Sequence, residues 1–556
     1  MTRCIRLLVL ALSIGAGFSS SAAAQAPQTP PPQGTAVISG IVTRGDNGRP
    51  VVGAAIRMIR WEGGLGRQSV AAKTDELGRF TLTKLLAGSY QLTATAEGFI
   101  TLDYGQRTPA EPGKRIELAD GQTFSEADIR MLKTSAIEGR LLDEFGEPVP
   151  GLTVQVAQVT FAAGKSRLMP MGGQASNNRP TDDLGQFRVT NLPPGDYYVL
   201  GLAGPFAGPA EPAGFGVTYY PGTDNPTQAR AVHVTAGQDA REITFAMTPA
   251  PMATIAGVTL DEDGKPLPRA SVMLIPTSGG DVRAAITAGM ASDANGGFTF
   301  RNVAHGTYVI QAFGRPVGGG NLAKAPFGAL LLTVSGARSD LEVRIKPGAN
   351  ARGHITFEGS NTLPASDRVS IGGMPIDFVT GPLGGGPPNS ITRDDWTFEV
   401  QNQIGLRVLR ANIGAPGWIV KSITVGGQDV TDTPVDFRKG DVDNIEVTFT
   451  SQASVLSGTV TDNDVPVREY AVIAFAEDAA KWTFPSRFIA MGRPTPQGGF
   501  RLSGLPPAAY LVVALPAVNN TDYQNPEFLQ ALRPFGTRVV INEGDTKTVA
   551  LRIIKR

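Results

Sequence analysis

Four stretches of this chain carry one phrase. It reads "TDELGRFTLTKLLAGSYQL" from Thr74, "TDDLGQFRVTNLPPGDYYVL" from Thr181, "SDANGGFTFRNVAHGTYVI" from Ser292 and "TPQGGFRLSGLPPAAYLVV" from Thr495. Each copy reads as turn, strand, turn, strand. Phe80, Phe187, Phe298 and Phe500 align, and so do Tyr90, Tyr197, Tyr308 and Tyr510. A catalytic motif is needed once. A phrase used four times is a building block, so the chain must fold as an array of like units.

Two further signals frame the phrase. An opening hairpin precedes it: "VISGIVTRGDNGRPVVGAAIRM" from Val37, "AIEGRLLDEFGEPVPGLTVQV" from Ala136, "TIAGVTLDEDGKPLPRASVML" from Thr254 and "VLSGTVTDNDVPVREYAVIAF" from Val455. Pro50, Pro148, Pro266 and Pro466 stand where the second strand begins, where no ladder donor is lost. A closing strand–Gly turn–strand follows it, with Gly121, Gly237, Gly336, Gly440 and Gly544 spaced by 116, 99, 104 and 104 residues. The closing signal therefore counts five repeats. The fourth has a degraded middle, "TRDDWTFEVQNQIGLRVLRA", where Phe398 fits its strand but no Gly-x-Tyr is recognisable. The repeat also decides a local ambiguity: "SEADIRMLK" from Ser125 would pass for a helix turn, yet its counterparts "IEVTF" and "VALRI" alternate as strands. "NPEFLQALRPFG" from Asn525 is the best short helix, with Asn525 as cap and Pro526 at the first helical position.

The 67 Gly and 42 Pro are spread along the chain without a collagen period, between short runs of Val, Ile, Leu, Thr, Phe and Tyr. That is an all-β composition. Each repeat of about 100 residues holds about seven short strands, and two antiparallel sheets packed face to face are the natural solution. The expected fold is a tandem array of five seven-stranded antiparallel β-sandwich modules: 35–133, 134–248, 249–346, a divergent 347–450, and 451–556. The repeated Phe and Tyr are expected on adjacent inward-facing strands, each ring worth roughly 1.5–3 kcal/mol when buried.

The start of the chain reads as a targeting signal. Arg3 and Arg6 precede "LLVLALSIGAGF", an apolar run of secretory length, and small residues follow, which puts the expected cut after Ala24. Residues 25–34 read as a Pro/Gln-rich linker. With Arg3 and Arg6 gone, the 50 basic and 50 acidic residues become 48 and 50, a net charge of −2. Nucleic-acid binding has no electrostatic support at that balance. The single cysteine, Cys4, leaves with the signal, so neither a disulfide nor a thiol site is expected. No later apolar stretch is long enough to predict a membrane span.

Little in the sequence carries chemistry. His233, His305 and His354 lie in different repeats or at different repeat positions, and a zinc site needs three or four convergent ligands. "FAAGKSR" from Phe161 ends like a phosphate loop, but Val159 stands where its first glycine belongs. "LDEDGKP" from Leu260 and "TDNDVP" from Thr461 place acids beside a turn, short of the full ligand set of a calcium loop. Asp and Asn favour such turns by bonding their own backbone. No Gly-x-Ser-x-Gly elbow appears. The residues best suited to contact a ligand are aromatics outside the repeated phrase: Tyr219 and Tyr220 in "FGVTYYPGTDNP", and Trp482 and Phe484 in "KWTFP". Rings beside polar turns suit sugar stacking. They also suit packing between repeats, which is the favoured reading. Trp61 and Trp418 stand in Gly-rich surroundings.

Gly40, Gly48, Pro50, Asp75, Gly78, Phe80, Leu85, Gly88 and Tyr90 follow the pattern G-x-V, G-x-P, D-x-x-G-x-F, L-x-x-G-x-Y. The pattern resembles that of the carboxypeptidase regulatory-like domain, a transthyretin-like (prealbumin-like) β-sandwich grouped with carbohydrate-binding-like folds. The resemblance covers repeats one, two, three and five, and only the ends of repeat four. It implies a fold and says little of activity: in that family the module accompanies peptidases, outer-membrane receptors and surface proteins. The repeats fill the chain to Arg556, so neither a peptidase domain nor a receptor barrel is expected. The reading is an exported, non-enzymatic binding, adhesion or scaffold protein, without cofactor or metal. Its expected partner is a polysaccharide or a cell-envelope protein. The alternatives are carbohydrate binding through the loop aromatics, and service as an accessory to a separate peptidase or outer-membrane receptor. Periplasm, cell surface and release are all compatible with the signal.

Overall fold

The computed structural model describes residues 34–555 except 63–64, 163–164, 172–178, 203–210, 279–280, 283–287, 316–324, 361, 377–380, 382–389, 416, 484 and 496. The stretches read as signal (1–24) and, but for Gly34, as linker (25–34) lie outside the described residues. Among those described, strands dominate, and no helix is long and apolar enough to cross a membrane.

Repeat one sets the pattern. Its strands are β1 (Ala36–Arg44), β2 (Ala55–Glu62), β3 (Leu65–Lys73), β4 (Arg79–Leu85), β5 (Gly88–Thr95), β6 (Leu102–Asp103), β7 (Ile116–Leu118), β8 (Thr123–Phe124) and β9 (Ile129–Met131). One sheet holds β4 and β1 with β8 and β9; the other runs β3–β2–β5, with β6 and β7 beside β5. The pieces β8 and β9 form one interrupted closing strand, and the two-residue β6 is added to the seven strands expected. Period-two burial aims Phe80 and Leu82 of β4, and Tyr90 and Leu92 of β5, into one core with Ile38, Ile56 and Met58.

The sandwich corrects two expectations. The sheets are not wholly antiparallel, because β1 runs parallel to β8 and β9. The same parallel pairing of opening and closing strands recurs in the other four repeats. Phe80 and Tyr90 also do not sit on neighbouring strands of one sheet. They face each other from the two sheets, because the chain crosses the core between β4 and β5. The crossing follows a bulge, where the β1–β4 register shifts between Ala36 and Ile38 and Lys84 adopts φ +60°. Asn191, Asn302 and Asn402 hold the same place at φ +61°, +56° and +58°, and Gly504 holds it at +79°.

One pair defines the repeat. Gly40 lies opposite Phe80, Gly139 opposite Phe187, Gly257 opposite Phe298, Gly353 opposite Phe398 and Gly458 opposite Phe500. A Cβ on any of these glycines would run into a carbonyl oxygen of the closing segment: that of Ala127, Ile243, Leu341, Ile445 or Val549. Only a residue without a side chain lets the closing segment approach there while the phenyl ring lies over the same spot.

The tyrosines tie the crossing down. Tyr90, Tyr197, Tyr308 and Tyr510 each donate a hydroxyl hydrogen bond to the carbonyl four residues earlier, at 2.7, 2.7, 2.9 and 2.7 Å. In repeat four Gly405-Leu406-Arg407 stands where repeats one to three have Gly-x-Tyr and repeat five has Ala508-Ala509-Tyr510. Its buried guanidinium donates to the carbonyls of Ile404 (3.0 Å) and Gly373 (2.6 Å). Burial pulls its pKa down to about 10.

The main buried clusters span residues 36–131, 137–247, 253–345, 351–449 and 456–551. Repeat five adds a second core outside its sheet. Strand Ala471–Ala476 is buried on both faces, and the helix Pro526–Leu532 lays Leu529 and Leu532 on its outer side. Asn525 caps that helix, accepting from the Glu527 amide at 2.9 Å.

Neighbouring repeats touch directly. Strand Ala213–Phe215 of repeat two pairs antiparallel with Pro249–Pro251, which opens repeat three. Asn402 Nδ2 of repeat four donates to the Ala325 carbonyl of repeat three at 2.9 Å. Arg487 of repeat five grips Asp432 of repeat four with two bonds of 3.1 and 2.8 Å.

Candidate functional site

The junction of repeats two and three forms a cleft of about 370 Å³, within the size range of small-ligand sites. Sequence builds it simply. After strand Gly195–Leu202 the chain returns as Thr218–Tyr219, which pairs with Leu200 and Gly201. Thr218 is fully buried; its Oγ1 accepts from the Thr248 amide at 2.8 Å and donates to the Gly216 carbonyl at 3.1 Å. That bond, with the strand pairing beside it, holds the loop of repeat two against the entry to repeat three.

Tyr219, Asp224, Pro226, Thr277, His305 and Tyr308 line the cleft. Tyr308 spends its hydroxyl hydrogen on Ala304, and burial pushes the phenol up to about 12, so it stays neutral. The backbone N–H of His305 donates to the Pro251 carbonyl at 3.0 Å, which fixes the turn and leaves the imidazole exposed at the rim. Asp224 is exposed as well. Thr277 is buried, and its Oγ1 has no hydrogen-bond partner among the described residues. The cleft thus combines ring and proline faces with a carboxylate, an imidazole and an unused hydroxyl.

Of the four aromatics singled out from the sequence, the three among the described residues do not converge. Tyr219 is 3% exposed and forms part of the cleft wall. Tyr220 is half-buried and packs edge-on against Phe245, with ring centroids 5.9 Å apart. Trp482 is 3% exposed in the second core of repeat five, bonded through Nε1 to the Ala476 carbonyl at 2.7 Å and packed on Phe475. Phe484 lies outside the described residues. Trp482 is therefore corrected from a contact residue to a core residue: the 526–532 helix is part of the cluster that buries it, and local sequence does not reveal that cover.

The other chemical readings resolve into structure. His233 bonds Asp196 across exposed neighbouring strands at 2.8 Å. Asp261 of "LDEDGKP" turns its carboxylate to the backbone N–H groups of Asp263 and Lys265, at 3.0 and 2.8 Å. Among the described residues no three His, Cys, Asp or Glu side chains gather where a metal ion would need them.

Repeat four holds an aromatic cluster that pattern reading passed over. Trp396 stands where Gly78, Gly185, Gly296 and Gly498 stand, and it adopts the same turn at φ +64°. Phe357 packs edge-on against Trp396 at 4.5 Å and against Trp418 at 5.3 Å. The signal was present: a bulky residue in a column otherwise glycine. All three rings remain partly exposed.

Comparison with known proteins places the repeats. The family model described as carboxypeptidase regulatory-like domain matches residues 37–132 and 254–319. No curated protein matches the chain. Among solved structures, a streptococcal ancillary pilin is 14% identical, with 56% of this chain and 99% of the pilin covered and a TM-score of 0.17. The minor pilin GBS52 of Streptococcus agalactiae is 13% identical, with 38% and 95% covered and a TM-score of 0.24. The shaft pilin SpaA of Lactobacillus rhamnosus GG is 11% identical, with 39% and 98% covered and a TM-score of 0.19. Scores this low carry nothing from the pilins to this chain. The matched ranges take in the Gly40–Phe80 and Gly257–Phe298 pairs with Tyr90 and Tyr308, so in repeats one and three the chain is similar to the carboxypeptidase regulatory-like domain.

Proposed function

We propose that this chain is an exported, non-catalytic scaffold of five β-sandwich modules, divided as 35–133, 134–248, 249–346, 347–450 and 451–556, which binds a partner outside the cytoplasm. The observation that carries the reading is the way consecutive repeats are joined. Strand pairing and charge-assisted bonds link them directly, as between Ala213–Phe215 and Pro249–Pro251 and between Arg487 and Asp432. An array joined so holds its loops at fixed spacing, which suits a binding scaffold.

The finer reading is binding of a glycan segment in the cleft between repeats two and three. Its mixture of ring and proline faces with His305, Asp224 and hydroxyl groups favours a neutral polyhydroxyl ligand. The test is a glycan array and pull-down on insoluble polysaccharide with the purified mature chain. Retention that weakens about tenfold in His305→Ala and Asp224→Ala supports the cleft. Equal retention of both variants removes it. Co-purification with an envelope peptidase or receptor, with no glycan retained, turns the reading to an accessory module.

A further inference from the structure

Repeat one is not a free end of the array. Lys114 Nζ meets Glu469 Oε1 at 2.6 Å, and the Asn520 amide donates to the Ala110 carbonyl at 2.7 Å. Arg107 Nη2 donates to the Pro516 carbonyl at 3.0 Å. Arg493 Nη2 donates to the Gly105 carbonyl at 3.2 Å and to Glu469 at 3.3 Å. The Lys114–Glu469, Arg493–Gly105 and Arg107–Pro516 contacts bridge 355, 388 and 409 residues of chain. We propose that the chain closes on itself in solution, with the 103–114 loop of repeat one docked on repeat five as an ionic clasp that salt can open.

Three features support this. First, the loop is braced to present its carbonyls: Gln106 accepts from the Asp103 amide at 2.7 Å and donates to the Glu111 carbonyl at 2.5 Å. Glu111, only 5% exposed, is forked by Arg107 at 2.8 and 3.1 Å. Second, the Arg493 side chain is 6% exposed, and the Gly105 carbonyl and the Glu111 carboxylate of repeat one lie beside it. Third, the contact is only partly satisfied. Nε and Nη1 of Arg493 have no hydrogen-bond partner among the described residues. A buried cation short of partners makes a contact of small net strength. Such a contact persists because it is intramolecular, with the intervening repeats holding its two halves near each other. Glu469 stays 58% exposed, so its attraction to Lys114 and Arg493 is open to screening.

The test is zero-length carbodiimide coupling, which joins an amine to a carboxylate only in contact, read by mass spectrometry with small-angle scattering alongside. A mixture of isotopically light and heavy protein separates links within one chain from links between chains. The expected result is a Lys114–Glu469 amide within single chains, with its yield falling about tenfold or more in 1 M salt and in Arg493→Glu. The radius of gyration should rise in both cases while the circular dichroism stays that of the β fold. Absence of the link, a link only between light and heavy copies, or full yield in the Arg493→Glu protein overturns the proposal.

Discussion

At the scale of single residues, the glycine beneath the phenyl ring is the least replaceable position. Gly139→Ala would drive its new Cβ into the Ile243 carbonyl and to 2.8 Å from the tip of Phe187. The carbonyl cannot move without breaking the parallel pairing, and the ring cannot move without leaving its place in the core. The cost should be about 2–4 kcal/mol, read as a lowered denaturant midpoint; a loss under 0.5 kcal/mol would show that the closing strand is loosely held. Lys84 offers the opposite case. It occupies a left-handed bulge position that three other repeats give to Asn and one to Gly. Lys84→Asn should stabilise repeat one by about 0.5–1 kcal/mol. Unchanged or reduced stability by the same measurement would mean that the lysine side chain makes up for its backbone strain.

At the scale of elements, the turn before the phenylalanine strand shows how one frame accepts different loads. Four repeats turn on glycine, and repeat four turns on Trp396 at the same backbone angle. A left-handed L-residue costs roughly 1–2 kcal/mol, while complete burial of a large ring returns about 1.5–3 kcal/mol; the partly exposed Trp396 gains a share of that, and its edge-on contact with Phe357 adds about 0.5–1.5 kcal/mol. Packing should therefore win narrowly. Trp396→Gly is expected to lower stability by about 1 kcal/mol, and a gain in the melting temperature would reverse that balance. The element order, the turns, the strand periodicity and the capped helix were readable in advance, because each is set by neighbours within a few residues. The crossing of the core between Phe80 and Tyr90 was not. A bulge looks like any other two residues of a strand until its partner's register is known.

At the scale of the whole molecule, the junctions decide behaviour. Asp432 holds Arg487 across repeats four and five and lies 3.7 Å from Arg410, whose carbonyl partner Pro485 is also in repeat five. Asp432→Ala leaves two partly buried guanidinium groups facing each other. It should remove about 1–2 kcal/mol of coupling and split or broaden the calorimetric transition of those repeats. A single sharp transition at the original temperature would mean that the junction is held by apolar contacts instead.

The candidate site follows the same division. Tyr219 was picked from sequence for its place beside a Pro-Gly turn, and it does line the cleft. Asp224 and Pro226 follow it in the same stretch, but the facing wall comes from Thr277, His305 and Tyr308 of the next repeat, which no spacing connects to it. Trp482 was picked by the same logic and is buried, because the helix that helps cover it lies more than 40 residues further on. The sequence by itself determined the repeat, the all-β class and the residues that fill each sandwich, since glycine turns, alternating burial and aromatic anchors act over short range. Only the tertiary structure decided the parallel closing strand, the cleft between repeats two and three and the return of repeat one to repeat five. Those depend on contacts between segments tens to hundreds of residues apart, whose side chains carry no local mark of the partner they meet.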